Sequence, residues 1–198
     1  MPIEAIFAKR RARRGGWLVA GLMAALLVAG HPLDDLTQHA LRYERAAVAA
    51  GEWWRLLTAH FAHLSWAHAL LNAAALLLVL QIFRSVVQTA EWWLAAAAAL
   101  LTIDAGLWWL EPGLDWYAGA SGVLHGLFAA GLAGLWRGGE RRLAVALTIG
   151  LIAKLAFEWW QGPLSGTSDL PVVTAAHRYG AAGGVVVGVT MLLRGRRR

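Results

Sequence analysis

The chain has 198 residues, among them 12 Trp and no Cys, and it is 59% hydrophobic but only 15% charged, where an ordinary soluble domain carries about 25% charged residues. Together with a mean hydropathy of +0.52, these values exclude a disordered chain, a disulfide scaffold and a soluble enzyme of ordinary composition, and they leave a polytopic membrane protein. The formal charge of +6 sits in short basic clusters between apolar runs, which fits an anionic membrane surface better than nucleic acid; without Cys there is no thiol redox, Cys-based zinc or Cys-nucleophile chemistry.

Six apolar runs read as membrane spans, at about 16–30, 65–83, 90–110, 117–136, 143–160 and 172–193. The predicted layout is a basic tail over 1–15, a six-helix membrane domain over 16–193 and a basic tail over 194–198. The first run follows Lys9, Arg10, Arg11, Arg13 and Arg14 and has the outline of a signal peptide; with five spans behind it, it is read as a retained helix. Segment 31–59 holds Pro32, Asp34 and Asp35 and is too polar to span, so it is expected to lie at the outer interface.

Thirteen of the 18 Lys and Arg residues fall in the two tails, at Arg84, and in the connection with Arg137, Arg141 and Arg142. The positive-inside rule therefore predicts cytoplasmic termini. All 12 Trp fall near span ends, as an aromatic belt requires.

Polar residues inside a span are functional candidates by default. His68 and Asn72 lie one and two turns into the second span, on one helical face. At about 1.5 Å per residue, Ser121 lies roughly 8 Å into the fourth span, counted from Trp116. His177 lies at a similar depth in the sixth. A serine nucleophile needs a base, and His177 is the candidate; His68, Asn72 and the Ser121 amide are donors of the type an oxyanion needs. No Asp or Glu stands out as a third member, so a Ser–His dyad is expected. The plainer readings are helix packing for the small residues around Ser121, and interhelical hydrogen bonding for the His and Asn residues. Asp104 and Lys154, each near the outer end of its span, are expected to form an intramembrane ion pair, and Glu158 and Arg178 to reach the outer interface. A metal site built from His60, His63, His68 and His125 lacks carboxylate partners and is disfavoured.

These residues resemble a rhomboid intramembrane serine protease. Trp54-Arg55 is similar to that family's WR pair, HLSWAHALLN at 63–72 to its second-helix pattern, GASG at 119–122 to its GxSG, and Ala176-His177 with Gly180 and Gly184 to its AHxxGxxxG. The resemblance implies an all-α, polytopic, six-transmembrane-helix bundle with an interfacial first outer loop. It implies Ser121 as nucleophile and His177 as general base, with His68, Asn72 and the Ser121 amide lining the oxyanion hole. Gly180 and Gly184 would allow tight packing of the fourth and sixth helices, the small neighbours Gly119 and Gly122 let a backbone or substrate approach the Ser121 hydroxyl, and Trp54 and Arg55 would anchor the first loop. His125 stands where the family often has a Tyr stacked on the catalytic His, and Ala59 where many members have a further His. The six-span form and GASGVLHG are similar to the rhombosortase subfamily. That likeness implies a bacterial inner-membrane protease opening to the periplasm, with no cofactor or metal. Its partners would be membrane lipids and exported proteins that end in a Gly-Gly motif, an apolar helix and a basic tail. General cleavage of other transmembrane substrates, non-proteolytic client binding and transport are the alternatives.

Overall fold

The computed structural model describes residues 35–163 and 172–195, together with Gly21 and Ala24. The tail over 1–15, most of the first predicted span, the stretch 164–171 and residues 196–198 lie outside the described residues. The chain folds as short helices α1 (Asp35–Leu41), α2 (Arg45–Ala49) and α3 (Arg55–Thr58), strands β1 (Tyr43–Glu44) and β2 (Trp116–Tyr117), and long helices α4 (Trp66–Phe83), α5 (Thr89–Leu110), α6 (Ser121–Gly138), α7 (Arg141–Gln161) and α8 (Thr174–Gly195).

Helices α4, α5 and α7 are long and apolar enough to cross a membrane. Helices α6 and α8 match predicted spans but are diluted by Gly and polar residues, and position in the bundle explains why. Most of α6 is buried from Gly122 to Leu135, so it faces protein rather than lipid and has no need of uniform hydrophobicity. On α7, by contrast, Ala144 and Glu158 are the buried residues, and its Leu143, Ile149, Ile152, Phe157, Trp159 and Trp160 stand exposed. An apolar surface of that extent belongs against lipid.

The α6–α8 contact is a backbone contact. A Cβ added to Gly180 would lie 2.0 Å from the Gly122 carbonyl oxygen, and one at Gly184 2.0 Å from that of Gly126. The Phe83 ring of α4 fills the space a Cβ at Gly131 of α6 would need, edge-on to Phe128 at 5.3 Å. Small residues thus set the interhelical distances, as expected where lipid tails supply no hydrophobic drive for helix association. At the opposite end from the site, Arg137 closing α6 donates to Glu91 and, at 2.7 Å, to the Val86 carbonyl, joining α6 to the start of α5.

Segment 35–58 packs over the other end of the bundle. Tyr43 and Glu44 pair antiparallel with Tyr117 and Trp116. Arg45 donates to the carbonyls of Trp108 (3.0 Å), Glu111 (2.7 Å) and Leu114 (3.1 Å), so a cation satisfies the orphan carbonyls at the C-terminus of α5. Arg55 is buried; it donates to Glu52 at 2.6 Å and to the carbonyls of His39 and Arg42. Trp54 is exposed, and its indole N–H reaches the Ala40 carbonyl at 3.4 Å.

Two expectations need correction. The fourth helix starts at Ser121, not 117, because 116–117 pairs with β1 and Gly119 adopts φ +124°, a left-handed backbone that no helix continues through. The predicted Asp104–Lys154 pair does not form. Asp104 instead lies 3.2 Å from His60 Nε2, and Lys154 bonds Glu158 one turn along its own helix at 2.6 Å; each charge takes the nearer partner.

Candidate active site

Three helix N-termini meet beneath segment 35–58. Ser121 opens α6, His177 lies in the first turn of α8, and His68 in the first turn of α4. Ser65 caps α4 by accepting from the His68 amide at 3.1 Å. The chain reaches Ser121 through a non-helical stretch tied down by protein groups. The Gly119 amide donates to the Ala59 carbonyl at 2.8 Å, and the Tyr117 hydroxyl donates to the Gly119 carbonyl. Irregular backbone at such a depth is tolerated only where protein satisfies it. Gly119 is needed twice over: its φ is positive, and a Cβ there would lie 2.8 Å from the His68 ring.

Ser121 Oγ lies 2.8 Å from His177 Nε2. His177 Nδ1 lies 2.9 Å from Glu158 Oε2, and Lys154 Nζ donates to the other oxygen, Oε1, at 2.6 Å. Glu158 and His177 are each 4% exposed. These partners fix the proton positions. An ionised carboxylate can only accept, so His177 carries its proton on Nδ1. Nε2 then holds the lone pair, and the Ser121 hydroxyl donates to it. His125 stacks on His177, with centroids 4.2 Å apart and planes 17° from parallel, and donates from Nδ1 to the Ser121 carbonyl at 2.6 Å. Asn72 is 5% exposed, and its Nδ2 has no hydrogen-bond partner among the described residues. His68 packs against Gly119 and edge-on to His63 at 5.0 Å.

The Ser–His–carboxylate line goes beyond the two-residue arrangement read from the sequence, and Glu158 was expected at the interface rather than buried behind His177. Nothing in its spacing signals the role, because its partner lies 19 residues away on another helix. Arg178 keeps to the rim, 4.3 Å over the Trp159 ring and 3.7 Å from Glu111. The histidines weighed as metal ligands do not gather, since His60 turns to Asp104. Among the described residues, His125, Glu158 and His177 do bring ligand atoms within 4.8 Å of one another. Both Glu158 oxygens and both His177 nitrogens are already engaged, so a cation there would displace the Ser121–His177 bond.

The rhomboid domain profile matches residues 50–194. The chain belongs to the rhomboid family. Members of this family are intramembrane serine proteases. This rhomboid is also 35% identical over 82 residues to a protein of Bacillus subtilis (strain 168) named "Putative rhomboid protease YdcA"; the similar stretch covers 41% of each chain. The matched rhomboid region contains Trp54, Arg55, His68, Asn72, Gly119, Ser121, Gly122, His125, Glu158, His177, Gly180 and Gly184.

Proposed function

We propose that this rhomboid is an intramembrane serine endopeptidase in which Ser121 is the nucleophile and His177 the general base. The observation that carries the reading is the 2.8 Å approach of Ser121 Oγ to His177 Nε2, with the Nε2 lone pair facing the hydroxyl. Ser121 Oγ attacks the scissile carbonyl as its proton passes to Nε2. The tetrahedral oxyanion is held by Asn72 Nδ2, His68 and the Ser121 amide. Collapse expels the amine, which takes the proton from Nε2, and water then hydrolyses the acyl-enzyme by the same relay. Two features support the oxyanion assignment. The Asn72 amide is a buried donor without a partner among the described residues, and the positive ends of α4, α6 and α8 converge beside Ser121, where negative charge would develop.

The substrate is a transmembrane-anchored protein. The distribution of Lys and Arg supports cytoplasmic termini, six spans and a site opening to the periplasm of a bacterial inner membrane. The GASGVLHG string supports the narrower rhombosortase reading, in which the cut removes a Gly-Gly, helix and basic-tail anchor from an exported protein. Ser121→Ala and His177→Ala are expected to cut turnover by a factor on the order of 10⁶, with folding unchanged. Undiminished turnover in either variant would refute the assignment. Co-expression with a Gly-Gly-tailed protein, followed by mass determination of its new C-terminus, tests the substrate class. An uncut tail beside efficient cleavage of other membrane proteins would leave a general rhomboid protease.

A further inference from the structure

Helix α7 is apolar almost all round, yet one of its two buried residues is a carboxylate. An ionised side chain withdrawn from water at that depth is costly unless paired, and its position is unfavourable for a second reason. Glu158 lies in the last turn of α7, whose C-terminal dipole end repels negative charge. Two donors offset both costs, one on each oxygen: Lys154 Nζ at 2.6 Å and His177 Nδ1 at 2.9 Å. Resting on the assignment of Ser121 and His177 above, we propose that Glu158, held by Lys154, is the positioning residue for His177. It makes the site a Ser–His–Glu triad whose third member is carried by the lipid-facing helix α7.

Glu158 never touches substrate and never takes the proton. It keeps the Nδ1–H tautomer in place, so that Nε2 always faces Ser121 as an acceptor. When Nε2 is protonated during attack, the cation forms against a fixed counter-charge instead of in an apolar cavity. Lys154 leaves the resting Glu158–Lys154 pair neutral. The charged and titratable groups around His177 are His125 on α6 and Lys154 and Glu158 on α7, with Arg178 following on its own helix. Of these, Glu158 is the carboxylate bonded to the ring. One consequence concerns α7 itself: the triad is complete only while α7 is seated against α8, so displacement of α7 would unmake the base.

The test is steady-state cleavage by Glu158→Gln, with thermal unfolding as the check on folding. Glutamine keeps the shape but can offer Nδ1 its amide donor, which favours the opposite tautomer. A positioning role predicts that kcat falls tenfold or more, on the order of 10⁴-fold by analogy with loss of a triad carboxylate. KM should stay within threefold, and Glu158→Asp should recover at least tenfold of the loss. A folded Glu158→Gln enzyme with a smaller loss of kcat, or a loss confined to KM, overturns the proposal. If Glu158→Gln does not fold, ¹⁵N spectra of histidine-labelled wild type decide, with the His177 signal assigned by its loss in His177→Ala. The Nδ1–H tautomer supports Glu158 as positioner, and the Nε2–H tautomer overturns it. Ser121→Ala and His177→Ala, assayed alongside, separate the two claims: activity surviving in them sinks the protease reading, whereas the tautomer reports on Glu158 regardless of turnover.

Discussion

Asn72 and Gly119 carry the most exposed predictions at the scale of single residues. Asn72 presents a buried donor with no partner among the described residues, which costs stability unless some other state satisfies it. The proposed oxyanion would be that state. Asn72→Ala should therefore lower kcat by about 100- to 1000-fold without loss of thermal stability, and an unchanged kcat would remove Asn72 from the site. Gly119 couples a positive φ to contact with His68. Gly119→Ala meets both penalties, with backbone strain alone worth about 1–2 kcal/mol. A lower unfolding temperature together with reduced turnover is expected, read by thermal denaturation and cleavage assay. Polar residues such as Ser121, His177, His68 and Asn72 were legible in the sequence because a membrane makes each of them expensive and therefore conspicuous. Glu158 was not. Near a span end it looks like an interfacial charge, and only the approach of α8 turns it inward.

Among the elements, α6 and α8 are the pair that matters. Ser121 and His177 meet because two backbones approach until Gly180 and Gly184 touch the carbonyls of Gly122 and Gly126. Gly180→Ala would place a carbon 2.0 Å from a backbone oxygen that cannot rotate away. The helices must separate, at about 1–3 kcal/mol for overpacking, and the Ser121–His177 bond must lengthen. Loss of activity larger than the fall in unfolding temperature explains is the expected result, and wild-type behaviour would contradict close packing. The family resemblance implied this packing of the fourth and sixth predicted spans through Gly180 and Gly184, and the contacts with Gly122 and Gly126 agree with it. The start of α6 was misjudged. No charged residue interrupts the stretch from Trp116 to Trp136, while the β1–β2 pairing that holds 116–117 extended depends on Tyr43 and Glu44, far away in sequence.

For the whole molecule, composition made the membrane class readable, because transfer into lipid leaves a mark at every residue. The arrangement of helices did not follow from it, since a central helix such as α6 is distinguished by what it packs against. Orientation is open to direct test in a chain without Cys. Asp115→Cys and Glu140→Cys place single thiols at exposed positions at opposite ends of the bundle. A membrane-impermeant maleimide applied to intact spheroplasts should label the first and spare the second until the membrane is opened, and the reverse pattern would invert the proposed topology.

The most direct measurement is the site of covalent modification by a fluorophosphonate, mapped by mass spectrometry on the wild-type protein and on His177→Ala. One adduct on the Ser121 peptide, lost without His177, is the predicted result. An unmodified wild type, or an adduct on a different residue, would contradict the claim that this hydroxyl and this imidazole act together.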